Sequence, residues 1–151
     1  MTAALRPTSE LVGVGWLTLA LPGVGVGTRL PAADDAMRAA GFVRVSIGGG
    51  QPDVYTPRRV PVIVAECWVP PAEGSYLPPW NHAGQLAERI TAATFDRSLM
   101  GVTVDLSSVG DYAPARVLTV VALGEPRRVD GDPNNWARQE LDLSLTWLPA
   151  T

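Results

Sequence analysis

The sequence predicts an α+β domain: a mostly antiparallel β-sheet of four to five strands with two main α-helices packed on it. Three observations lead there. Residues 60–69 and 116–123 are long apolar runs rich in β-branched side chains, the composition of strands. Residues 140–147 alternate strictly. Leu141, Leu143, Leu145 and Trp147 stand against Glu140, Asp142, Ser144 and Thr146, the period of a half-buried strand. Residues 81–94 place Ala83, Leu86, Ala87, Ile90 and Thr94 on one helical face, with Gln85, Glu88 and Arg89 opposite. Helices and strands do not alternate regularly, which argues against a doubly wound parallel sheet.

The elements follow in order. Thr8 or Ser9 is suited to cap a first helix, and Glu10 favours its positive start. Leu11, Val14, Thr18 and Leu21 share one face of it, and Val12, Trp16 and Leu19 another. A helix apolar nearly all round must be buried or covered by a partner. Gly13 and Gly15 weaken it by about 1 kcal/mol each but allow close packing. Pro22 and Gly23 stop it, and the glycine-rich residues 23–27 read as a connector. Residues 34–41 form a short helix or a loop. Residues 42–47 alternate as a strand, which the glycines at 48–50 end. Residues 51–59 form a loop, and residues 60–69 a central strand buried on both faces. After a proline-rich loop at 70–79, Asn81 is suited to cap the second main helix. A short strand at 102–106, a long one at 116–123, a polar loop at 125–136 and the alternating strand complete one domain, 1–151.

The chain carries 12 basic and 15 acidic side chains, a formal charge of −3, and 46% of its residues are hydrophobic. Disorder is excluded by that apolar content. A strongly basic nucleic-acid binder is disfavoured, because no net positive field draws phosphate. Every basic residue is arginine, and Ile, Asn and Phe are scarce, which suits a GC-rich coding origin. The apolar run at residues 11–21 falls short of the ~20 residues a membrane span needs. It also lacks the basic leading region of a signal peptide, so a soluble protein made in a cytoplasm is expected, with no membrane partner.

Motifs of catalysis are thin. The glycines at 23–27 lack the Gly-Lys pair and helix start of a P-loop, in a chain without lysine. Cys67, the single cysteine, sits in an apolar run and reads as a small buried hydrophobe. His82 is the single histidine, beside Trp80 at a helix start, where packing or capping is its expected role. Asp34 with Asp35, and Asp130 with Asp132, lie in turn-like segments and read as solvated. No catalytic residue, cofactor site or metal site is therefore expected. A pocket built on Asp53, Tyr55 and His82 is the enzyme-like alternative.

Two loops stand out instead. One holds Gln51, Asp53, Tyr55, Arg58 and Arg59; the other holds Arg127, Arg128, Asp130 and Trp136. Long ordered loops in small domains tend to be functional, and aromatic and arginine side chains are enriched at protein interfaces. With Trp80, these residues are the candidate interface, and they suggest an assembly subunit.

The pattern also resembles a known family. Glu10 and Trp16 lie on an N-terminal helix ending in Leu21-Pro22-Gly23. A strand then runs into glycines, with Asp53, Tyr55 and Arg59 before the next strand, which ends Glu66-Cys67-Trp68. Pro78-Pro79-Trp80-Asn81 open a helix bearing Ala83 and Leu86-Ala87-Glu88. Over residues 8–148 this resembles the tail terminator proteins of long, non-contractile-tailed phages of actinobacteria. The resemblance implies an α+β fold and a ring, six subunits in the family, that caps the tail tube, stops its polymerisation and joins it to the head connector. The implied partners are the chain itself, the tail tube protein and a head-tail connector or head-completion protein. DNA would pass transiently through the lumen. The implied location is the tail–neck junction of the virion. Another neck protein, a head-completion or adaptor subunit, is the alternative within the same class.

Overall fold

Thr8 is extended and its hydroxyl accepts from Leu11 N at 3.3 Å, which starts helix α1 (Ser9–Ala20). The computed structural model describes residues 4–150, so residues 1–3 and 151 of the expected domain lie outside the described range. A short strand β1 (Gly25–Gly27) follows α1, and helix α2 (Asp35–Ala40) is capped by the Asp34 carboxylate, which accepts from Met37 N. Strands β2 (Phe42–Pro52) and β3 (Arg59–Val69) form a hairpin. Helix α3 (Trp80–Ala93) and a 3-10 turn at Arg97–Leu99 lead to strands β4 (Val102–Val104), β5 (Ala115–Ala122), β6 (Arg127–Val129) and β7 (Ala137–Pro149).

The sheet has seven strands in the order β1-β2-β3-β7-β5-β4, with β6 also paired to β7. It is mostly antiparallel as expected, and β1–β2 is the parallel ladder among the described strands. The count exceeds the four to five expected because β1, β4 and β6 have three residues each, too few to display a period. Strand β7 lies at the centre. One of its edges pairs with β3 along nearly its whole length. The other pairs with β5 from Leu143 to Pro149 and with β6 from Arg138 to Glu140.

Both main helices cover one face of this sheet. Ile63, Ala65 and Cys67 of β3, and Leu141, Leu143, Leu145 and Trp147 of β7, point into a core shared with Val12, Val14, Trp16 and Leu17 of α1 and Leu86, Ala87 and Ile90 of α3. The glycines of α1 explain its seating. A Cβ at Gly13 would lie 2.5 Å from Ile63 Cδ1, and one at Gly15 would lie 2.2 Å from Val104 Cγ1. The helix thus lies in a trough between the sheet and the segment that follows α3, and the Trp16 indole donates to Leu99 O at 2.9 Å across it. That trough buries most of the all-round apolar surface within the chain itself, although Leu19 stays half exposed.

Four local expectations need correction. The glycines at 48–50 do not end a strand, because β2 continues to Pro52 across a register shift between Ile47 and Gly49. A β-bulge absorbs the extra residue, and glycine at Gly49 and Gly50 supplies the positive φ it needs. Residues 60–69 are not buried on both faces throughout: Val60, Val62 and Val64 are half-buried on the face away from the helices, and only Glu66 and Trp68 there are buried. Asn81 is not the cap of α3, which begins at Trp80 after Pro79 with no side-chain cap. The polar loop at 125–136 contains β6, whose residues pair with Arg138 to Glu140.

Candidate functional site

The candidate residues fall into two groups at opposite ends of the long strands. Strand β3 starts at Arg59 and ends at Val69, so at ~3.3 Å per residue its ends lie about 33 Å apart. Gln51, Asp53, Tyr55, Arg58 and Arg59 belong to the β2–β3 hairpin tip at the first end. Trp80, Arg127, Arg128, Asp130 and Trp136 belong to the other end, where Trp80 packs on Val69, Ala83 and Ala137.

The hairpin tip is organised by one carboxylate. Asp53 Oδ1 accepts from Tyr55 N at 2.8 Å, its Oδ2 pairs with Arg58 Nη2 at 3.1 Å, and Asp53 N donates to Arg58 O. This closed turn holds Val54 and Tyr55 away from the body, 88% and 94% exposed. The bond from Tyr55 N, joined by bonds from Thr56 and the charge of Arg58, holds the Asp53 carboxyl below its ordinary range. Arg59 lies over the Trp147 ring, 5.6 Å from its centroid. Arg6, Arg58 and Arg59, against the single carboxylate of Asp53, line a concavity of about 320 Å³ beside the tip.

A lowered carboxylate pKa sets the sign of a pH effect. The ionised form is the one that fits the folded tip, so the contribution is complete above the ordinary aspartate value of about 3.9. It is lost as pH falls through the depressed folded value. The amide resonance of Tyr55 is therefore expected to hold its folded position down through the ordinary carboxylate range and to move below it, while Asp53→Asn removes that titration. A Tyr55 amide that titrates at the ordinary value would rule out this organisation.

The opposite end is a nest of tryptophan and charge. Trp136 meets Trp68 edge to face, with centroids 6.0 Å apart and planes at 77°. Asp132 Oδ2 accepts from Asn134 N and Trp136 N, which fixes the turn that presents Trp136. Leu30, Pro31, Trp68, Asp132, Asn134 and Trp136 contribute to a notch of about 370 Å³. Arg128 stacks on Trp80 at 3.7 Å and pairs with Asp130 at 2.8 Å. Arg127 bridges Glu140 at 3.0 Å and Asp142 at 3.3 Å on the sheet face away from the helices.

That same face carries partners that sequence reasoning misses. Glu66 is buried there and accepts from the Trp68 indole at 2.9 Å, with Arg44 at 3.6 Å. Arg138 pairs with Glu140 at 2.8 Å and lies over Trp68 at 5.0 Å. The signal is present in β3, where a charged residue interrupts an otherwise apolar run at Glu66; a buried carboxylate requires a partner on the neighbouring strand.

The elements of a catalytic pocket do not come together. Asp53 and Tyr55 sit at the hairpin tip, whereas His82 lies in the first turn of α3 at the far end of β3. Cys67 is fully buried, and burial pushes its thiol up to about 12, far from a reactive thiolate. Asp34 caps α2, Asp35 pairs with Arg38, and Asp130 and Asp132 serve the contacts above. Among the described residues, no three His, Cys, Asp or Glu side chains converge as metal ligands, and no helix is long and apolar enough to cross a membrane.

No protein-family model matches the chain, and no curated protein matches it. Among solved structures it is similar to a chain from the virion of a native gene transfer agent particle. The identity is 16%, the match covers 95% of this chain and 88% of that one, and the TM-score is 0.47.

Proposed function

We propose that the chain is a structural subunit of a phage-like virion, a tail terminator that closes into a ring, six subunits by the family resemblance. The ring caps the tail tube, stops its polymerisation and joins the tail to the head connector. The observation that carries this reading is the placement of the candidate residues. They form two chemically different patches of exposed and half-buried side chains at opposite ends of the long strands, not one convergent pocket. A cyclic ring uses heterologous contacts, so each subunit must present two different surfaces to its neighbours. The resemblance carried by Glu10, Trp16, Glu66, Trp68 and Pro78-Pro79-Trp80-Asn81 supports the same reading. So does the state of the arginines. Arg58, Arg59, Arg127 and Arg128 are each engaged within the chain by a carboxylate or an indole ring. Arginines so engaged suit protein contacts better than a bore through which DNA must slide, where free cations would hold phosphate.

The test is the solution mass of the purified protein across a wide concentration range, alone and with tail-tube ends, together with imaging of any large species. A closed ring of about six subunits is the expected result. A chain that stays monomeric even with tube ends present overturns the reading. Labelled protein in assembled particles distinguishes the terminator from another neck protein: the expected position is the end of the tube, and a position against the portal overturns the terminator role.

A further inference from the structure

We infer that the β2–β3 hairpin tip of one copy docks in the Trp68–Trp136 notch of the next, with Tyr55 as the inserted anchor. This deepens the ring reading above and rests on it, since its partner is a second copy of this chain.

Four observations converge. The tip is tied by the two contacts of the Asp53 carboxylate and yet holds a tyrosine 94% exposed. A protein that fixes an aromatic ring in water forgoes the burial that such a ring normally gains. Tyrosine, tryptophan and arginine are the side chains on which interface affinity concentrates. The notch at the other end has the complementary form, with two tryptophans meeting edge to face beside Leu30 and Pro31, and about 370 Å³ of open space. The charges are also opposite. Three arginines face one carboxylate in the concavity beside the tip, whereas Asp132 is the one charged residue lining the notch. Asp132 commits Oδ2 to its own turn, which leaves Oδ1 for an incoming guanidinium or phenol. Finally, tip and notch stand about 33 Å apart along β3, so a chain cannot fill its own notch. A neighbouring copy can, and repetition of that contact is head to tail, the kind that closes into a ring where its rotation closes.

The single native cysteine is buried with its thiol pushed up to about 12, so introduced cysteines can be cross-linked against little background. Two variants serve, Val54→Cys at the tip and Asn134→Cys at the rim of the notch. Each is oxidised alone as a control, and the two reduced variants are mixed and then oxidised together, at the concentration where the wild type associates or on tail-tube ends. The expected result is a disulfide between the two variants when mixed and little within either alone. No mixed disulfide, or Val54→Cys joined chiefly to itself, overturns the docking. In parallel, Tyr55→Ala is expected to weaken association about tenfold or more without changing the fold, because nothing in the chain packs on that ring. Trp136→Ala should weaken it comparably, and the double variant should lose less than the sum of the two. Association unchanged in Tyr55→Ala overturns the proposal. A wild-type ring that forms without mixed disulfides rejects the docking and leaves the ring reading standing. A wild type that stays monomeric even with tube ends rejects both.

Discussion

Replacing Trp147 with alanine is expected to lower stability by about 3–5 kcal/mol, the cost of removing a large buried aromatic side chain. Trp147 is 2% exposed, and its indole donates to the Ser9 hydroxyl at 2.9 Å. That bond ties the far half of β7 to the first residue of α1. Arg59 covers the ring from the neighbouring strand. The truncation therefore opens a cavity and removes the partner of a buried hydroxyl. Against a typical total of ~5–15 kcal/mol, such a loss brings the domain close to unfolding. Two milder variants separate the contributions. Trp147→Phe keeps most of the ring but not the donor, and is expected to cost less than the alanine. Ser9→Ala leaves the indole N–H without its acceptor and is expected to cost about 1–3 kcal/mol. Urea unfolding midpoints measure all three. An alanine variant within about 1 kcal/mol of the wild type would contradict the place of Trp147 in the helix–sheet core.

The second large effect is expected at Gly50. Its φ of +97° belongs to the region where side chains are strained, and a Cβ there would lie 2.4 Å from Val60 O and 2.6 Å from Pro61 Cα. Those are backbone atoms of the paired strand, so no side-chain rotation relieves the clash. Backbone strain of ~1–3 kcal/mol adds to overpacking of similar size, and Gly50→Ala should cost about 2–5 kcal/mol. The alternative to bearing that strain is local: the hairpin gives up its pairing from the bulge outward. Trypsin would then cut at Arg58 or Arg59 faster than in the wild type, and thermal unfolding would report the global loss. Gly49 is the control, because its φ is also positive but a Cβ there would meet nothing within 4 Å. Its alanine variant should lose stability through strain alone. Equal stability of Gly50→Ala and the wild type would show that the bulge does not hold the tip.

The parts of the fold that declare a period are legible in the sequence. The amphipathic face from Ala83 to Ile90 is α3, and the alternation from Leu141 to Trp147 is the far half of β7. The all-round apolar character of the first helix requires cover, and the trough lined by Val45 and Ile63 on one side and by Val104 and Leu106 on the other supplies most of it. What is not legible depends on pairing. β1 and β6 exist because β2 and β7 offer free edges to which three residues can bond, and no local pattern encodes that. The glycines at 48–50 read as a stop because glycine weakens isolated strands, whereas here the opposing β3 carries β2 through them. The candidate residues stand out by composition, and composition cannot say that Tyr55 and Trp136 lie at opposite ends. That follows from the antiparallel register, which sets Arg59 beside Trp147 and Val69 beside Ala137. Glu66 is hidden within an apolar run, although its partners Arg44 and Trp68 make it the buried charge of the open face.

The central position of β7 has a consequence for biosynthesis. Every strand that β7 joins precedes it in the chain, so a ribosome releases β3, β5 and β6 before the strand that unites them. The β2–β3 hairpin needs nearby residues alone and can form early, whereas β3 with β7 is a long-range pairing and a slow one. In the interval the inner edges of β3 and β5 are bare, a template for mispairing between nascent chains on one messenger. Trp136 immediately precedes β7, so the notch also waits for this last closure. A growing chain thus displays its hairpin tip well before it has any notch to receive one.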